Sequence, residues 1–334
     1  MTAGAAGDLA PEERERAPEP YAGPPPMRRP TPEQLRPAPQ QEPDDDVAVP
    51  EPVRPLPYLL AMRSAPWAWW RPVAGLAVVA FLLGIALVLT GIADVLTGTG
   101  ADLGPAPLTW RGLLVTGLLL ATAVPAVLLA WPLAHDVGPG RGLSVARRFR
   151  WGLLRRAALL ALGTAGAGVT LATAGAVLLA DREAPGPVAD LPWVLVAGLL
   201  TVPLRAAGEE FLLRGYLSQA VAGWIGRPRA GAVTAAVVSA ALGALLHGAD
   251  DAPAFLGWTA LGLAASAAVA LTGGLEAAVA LHAVVALVVF LLTAGLGDGV
   301  VPGLSAGPGT AFALVGAGGL AAFAALVARR GART

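Results

Sequence analysis

The chain has 334 residues, of which 55% are hydrophobic and only 14% charged, well short of the roughly 25% charge of an ordinary soluble protein. Its formal net charge is zero and its basic residues are all Arg, so no global positive field marks a nucleic-acid partner. The absence of Cys excludes disulfides, thiolate nucleophiles and Cys-ligated metals, and three His (His135, His247, His282) bound any imidazole chemistry. The charges are also uneven. Of 23 acidic and 23 basic residues, 11 and 8 lie before Pro72, leaving a remainder that reads as an all-α polytopic membrane protein.

Residues 1 to 57 hold 15 of the 30 prolines and the acidic run Asp44, Asp45 and Asp46, with no apolar stretch. Such a segment cannot bury enough surface to offset its ordering entropy, and it has no hydrophobic core of the signal-peptide kind. The expected organisation is a disordered Pro-rich cytoplasmic tail over 1–70 and a transmembrane helical domain over 71–334. Trp67, Trp69 and Trp70 stand where an interfacial aromatic belt belongs.

Eight spans follow, at about 73–96, 112–134, 157–180, 192–215, 231–249, 254–272, 275–296 and 310–328, each of the length a bilayer demands. Arg is dense in the tail, in 141–156, at Arg227 and Arg229, and at Arg329, Arg330 and Arg333; the intervening loops carry Asp102, Asp181, Asp190, Asp250, Asp251 and Asp298. The positive-inside rule then puts both termini in the cytoplasm of a multi-pass cell-membrane protein. The apolar stretch from Leu191 to Ile225 is longer than one straight crossing, which predicts a tilted or broken fourth helix with Pro203 as the expected bend.

Ionisable residues concentrate at one place in the spans. Arg205, Glu209, Glu210 and Arg214 fall in a single apolar segment, and each mid-bilayer charge costs ~2.5–3.5 kcal/mol on insertion scales. Spacing of four pairs Arg205 with Glu209 and Glu210 with Arg214. One reading is a pair of self-neutralising ion pairs that hold the bundle together. The other adds His247 and His282, each in an otherwise apolar span: carboxylate plus imidazole is the minimal kit for activating a water.

Glu209-Glu210-x-x-x-Arg214-Gly215, then a span ending in His247, then Gly273-Gly274 followed by His282, resembles the CPBP family of intramembrane proteases. That family includes type II CAAX prenyl endopeptidases and the bacteriocin-processing or immunity proteins also called Abi. The resemblance covers about 190–295. It implies that Glu209 is the general base, working with His247 on water. It further implies that Glu210 and Arg214 form an orienting pair beside the base, and that His282 helps to stabilise the oxyanion. Two positions depart from the family pattern: Gly243 stands where an aromatic usually precedes the second-motif His, and Ala286 where an Asn usually follows the third-motif His. Arg, Ser or backbone donors are the substitutes for that amide.

The implied activity is glutamate-dependent endopeptidase cleavage of a membrane-associated protein or peptide, prenylated or bacteriocin-like. A metal-free site is favoured, since the helical His-Glu-x-x-His arrangement of zincins is absent. The alternative is zinc or another divalent metal on Glu209, His247 and His282. Two rival functions remain: an inactive relative serving as an immunity, sorting or scaffold protein, and a transporter using the charge cluster as an ion path. Gly316 to Gly319 reads as a helix-packing surface, Asp250 and Asp251 as a solvated loop, and His135 as an interfacial residue beside Asp136.

Overall fold

Apolar runs of bilayer length satisfy their backbone groups within one segment by forming helices, and eight of them do so among the described residues. In the computed structural model, which describes residues 57–64, 67–97, 108–249, 251–302 and 307–331, the long apolar helices are α1 (Arg71–Ala93), α2 (Trp110–His135), α3 (Trp151–Leu179), α4 (Leu191–Ile225), α5 (Pro228–Leu246), α6 (Ala252–Thr272), α7 (Glu276–Leu296) and α8 (Thr310–Arg329). Among the described residues there is no strand, only an isolated bridge between Ser144 and Gly274. The protein is a multi-pass all-α membrane protein. The expectations for the tail over 1–56, for Asp102 and Asp250, and for Arg333 lie outside the described residues.

The connections gather at two ends. At one end, Arg71 at the start of α1 pairs with Asp136 just past α2, at 3.2 Å. Arg63, ahead of α1, donates from Nε to the Gly223 carbonyl near the end of α4, at 2.7 Å. The α2–α3 connection meets the α6–α7 turn through Val145 N–H to Gly273 O at 2.8 Å. Arg150 clamps the fully buried Glu276 at the start of α7, its Nε and Nη2 each 2.8 Å from a carboxylate oxygen. At the opposite end, the buried Arg182 donates to the carbonyls of Pro308 and Gly299, at 2.7 and 2.6 Å. Gly186 N–H reaches the Leu296 carbonyl there at 3.0 Å, so α4 starts where α7 ends and the two run antiparallel.

Small residues bring the central helices close. A side chain at Gly208 would collide with the Leu120 carbonyl oxygen, so α2 and α4 touch backbone to backbone one residue before Glu209. At that level α2 itself is interrupted at Thr122, whose hydroxyl donates to the Leu119 carbonyl. The Gly316–Gly319 stretch is a packing surface: a Cβ on Gly168 of α3 would lie 3.2 Å from the Gly319 Cα.

Three expectations change. The fourth span continues to Ile225 rather than ending near 215, because Tyr216, Ser218 and Gln219 are polar yet buried against neighbouring helices. Its departure from α geometry is not at Pro203, which sits inside the α-helical Leu191–Glu210, but in a π-helical stretch, Phe211–Leu217. His135 is buried, with Nε2 2.9 Å from the Tyr216 hydroxyl and its ring against Trp131. It lies apart from the site described next.

Candidate active site

Glu209 and Glu210 close the α-helical part of α4, directly before the π turn. A π turn inserts one residue into the helical phase and recurs at functional sites. Here the adjacent carboxylates pair with different guanidiniums, Arg205 and Arg214, and are joined through His282. Glu210 is fully buried, and its Oε1 accepts from Arg214 Nη1 at 2.9 Å and lies 2.8 Å from His282 Nδ1. Arg214 is itself buried, and the room for its guanidinium comes from Gly262 on α6: a Cβ there would stand 2.7 Å from Nη2. The Glu210–Arg214 pair thus supports its neighbours and is closed to solvent.

Glu209 is the member that faces a cavity. Its Oε1 accepts from Arg205 Nε at 2.9 Å; its Oε2 lies 2.9 Å from His247 Nε2 and 3.5 Å from His282 Nε2. Each His comes from a different helix: His247 caps the C-terminus of α5, and His282 lies two turns into α7. Glu209 Oε2 and Glu210 Oε2 have no hydrogen bond of good geometry among the described residues. Buried carboxylate oxygens of this kind call for an additional donor such as water.

The structure therefore brings together every residue singled out from the sequence, Glu209, Glu210, Arg214, His247 and His282, within one cluster of hydrogen bonds and close charge contacts. The length of α4 places Glu209 near its middle, in reach of the end of α5.

Sequence reasoning missed Trp258. From α6, its indole stacks on the His247 imidazole with ring centroids 3.7 Å apart and planes 5° from parallel. Trp258 and Gly243 border the same small space beside His247, so an aromatic from another helix stands next to the position where Gly243 lacks one. A Trp in an apolar helix reads as core, and nothing in the spacing distinguishes it. Glu276 was missed too, since an acidic residue at a helix start reads as a favourable interaction with the helix dipole.

A cavity of about 270 Å³ opens on this cluster, lined by Arg205, Glu209, His247, Trp258, His282 and Ala286 among others. Leu108 and Thr293 border it too, and both lie toward the end of the bundle where α4 begins and α7 finishes. The Arg-rich connections meet at the other end.

Donor type alone suits a divalent metal: one ligand atom each from Glu209, His247 and His282 lie within 4.8 Å of one another, and His282 has a carboxylate behind it at Nδ1. The charge does not suit it. Arg205 already bonds Glu209, so an ion on this carboxylate would sit beside a permanent guanidinium, with no compensating second acid among the described residues that line the cavity.

Residues 191–288 match a protein-family model described as type II CAAX prenyl endopeptidase Rce1-like. The match bears out the family resemblance and spans the whole cluster from Arg205 to Ala286. No curated protein and no solved structure matches the chain.

Proposed function

With residues 191–288 matching a prenyl endopeptidase family, we propose that the protein is an intramembrane endopeptidase that cleaves membrane-associated proteins or peptides in a CAAX-type reaction. The observation that carries this reading is the position of Glu209, which holds one carboxylate oxygen against Arg205 and turns the other toward two imidazoles in the wall of a cavity. A water in the cavity beside Glu209 Oε2 and His247 Nε2 has a proton acceptor in the one and an orienting partner in the other.

In the proposed reaction the water oxygen attacks the scissile carbonyl carbon while Glu209 takes its proton. The carbonyl π electrons move onto oxygen. On collapse the C=O re-forms, the C–N bond breaks, and Glu209 returns the proton to the departing amine. His282 faces the same carboxylate, positioned by Glu210, which accepts the Nδ1 proton. With Nδ1–H committed to Glu210, Nε2 donates only when the ring is an imidazolium.

The test is cleavage of membrane-anchored peptides, with and without a C-terminal prenyl group, by purified protein in bilayers. Glu209→Gln is expected to abolish turnover while the protein stays folded, because the amide keeps the shape and cannot take a proton. Wild-type turnover by that variant removes the base from the mechanism. A second reading, a non-enzymatic family member with an immunity, sorting or scaffold role, draws on Ala286, which offers no donor where an amide would stand. It requires that the wild type cleave none of these peptides.

A further inference from the structure

We propose that Arg205 takes the place of the amide missing at Ala286: held at Nε by Glu209, its guanidinium presents its Nη edge to the carbonyl oxygen as negative charge develops there. The assignment rests on the peptidase reading above and identifies a catalytic residue that this reading leaves open.

Three observations carry it. The first is level. Arg205 precedes Glu209 by one turn on α4, and Ala286 follows His282 by one turn on α7. The two helices run antiparallel, so both steps lead the same way from the Glu209–His282 contact. Arg205 and Ala286 accordingly flank one layer of the same cavity.

The second is the state of the guanidinium. Its sole hydrogen bond among the described residues runs from Nε to Glu209 Oε1, and its side chain is 37% exposed. The Nη groups make no hydrogen bond among the described residues, and the residue lines the cavity. Arg214 contrasts with it: nine residues further on, its side chain is 4% exposed and closed in by α6. Of the two guanidiniums in this segment, one is structural and the other borders the cavity.

The third is protonation. His282 Nε2 is a donor only as the imidazolium, because Nδ1 is engaged by Glu210. A guanidinium donates in every state, in a fixed fork suited to oxygen anions. As C–O π electrons move onto oxygen, an Nη–H bond strengthens with the charge. The oxygen releases that bond when the C=O re-forms, and no proton leaves Arg205. A donor that gains strength only in the transition state raises kcat rather than affinity for substrate.

The experiment uses the full chain in bilayers, with steady-state cleavage of a membrane-anchored peptide and binding of its phosphinate isostere, an anionic tetrahedral mimic of the intermediate. Arg205→Gln is expected to lower kcat by ~10²–10³ with KM nearly unchanged. It should bind the phosphinate more weakly than the wild type does, while the parent peptide binds equally to both. Adding Ala286→Asn to Arg205→Gln should recover at least a tenfold part of the loss. Should Arg205→Gln prove unstable, Arg205→Lys decides by the same two measurements, since it keeps the charge and loses the fork.

An unchanged kcat in Arg205→Gln, with Glu209→Gln inactive, overturns the role of Arg205 and leaves the peptidase reading intact. So does a rise in KM alone that vanishes when the peptide's C-terminal carboxylate is amidated, which would make Arg205 a carboxylate anchor. Full cleavage by Glu209→Gln, or none by the wild type, removes both.

Discussion

The His247 imidazole lies flat on the indole of Trp258, 3.7 Å between centroids and 5° from parallel, while its Nε2 stands 2.9 Å from Glu209. His247 ends its helix, where the last turn lacks the constraint of a following one. A stacked indole from α6 fixes the ring plane that the helix end leaves loose.

Trp258→Ala should therefore lower kcat by roughly 10²-fold, the scale of loss when a catalytic group is misplaced by about 1 Å. Trp258→Phe should keep most of the activity, because a smaller ring can still stack. Gly243→Phe on the Trp258→Ala background asks whether an aromatic on α5 can do the same work. Recovery of kcat there would show that the two positions share one function; equal kcat in Trp258→Ala and wild type would show the stacking to be incidental.

The Glu210–Arg214 pair should matter to folding before it matters to chemistry. Arg214→Ala leaves Glu210 buried with a lost partner, a change of ~3–5 kcal/mol for a buried pair. The expected outcome is reduced membrane yield and a lower unfolding temperature, with activity falling in proportion to folded protein. Glu210→Gln should do less damage to stability, since an amide oxygen still accepts from Arg214. It should alter turnover through His282, whose Nδ1 it no longer holds as a carboxylate does. Normal thermal stability in Arg214→Ala would contradict the structural assignment.

How much of this was legible in the sequence follows from what each residue does. Bilayer length set the eight spans, and their edges fall within a few residues of expectation except at the start of α3, at Trp151 rather than 157, and at the end of α4. There Tyr216, Ser218 and Gln219 look like an exit from the membrane, yet they face protein, as Tyr216 shows by meeting His135 from α2. Glu209, Glu210, His247 and His282 stood out because charge is expensive among apolar residues, and their convergence needed no finer signal. Trp258 and Gly208 carried no such signal. One stacks and the other lets two backbones touch, and both depend on partners from another helix that hydropathy does not locate. The π turn is equally silent, since its residues Phe211–Leu217 suit an ordinary helix.

Cleavage should survive chelation. Arg205 bonds the same carboxylate that a divalent ion would need, and among the described residues the cavity offers no second acid to balance the added charge. Incubation with a strong zinc chelator, followed by metal analysis of the protein and assay without added metal, is expected to leave kcat unchanged. Loss of activity restored by one specific divalent ion would instead put Glu209, His247 and His282 to work as ligands.

The remaining prediction concerns sidedness. The connections carrying Arg141, Arg147, Arg148 and Arg150 sit at the end of the bundle that also holds Arg63, Arg71 and the α4–α5 turn with Arg227. That clustering agrees with the positive-inside rule and predicts that this end is cytoplasmic. The cavity runs toward the other end, past Leu108 and Thr293, so the same rule predicts entry to the site from the extracytoplasmic side or its leaflet. The chain is naturally free of Cys, which makes single substitutions unambiguous reporters. In intact cells, Arg148→Cys should resist a membrane-impermeant maleimide and react only after permeabilisation, while Thr293→Cys should react at once. A peptide occupying the cavity should protect Thr293→Cys and leave Arg148→Cys untouched. Immediate labelling at position 148 would invert the topology and with it the side from which substrate arrives. Labelling of both positions only after permeabilisation would keep the termini cytoplasmic and close the proposed outer entrance.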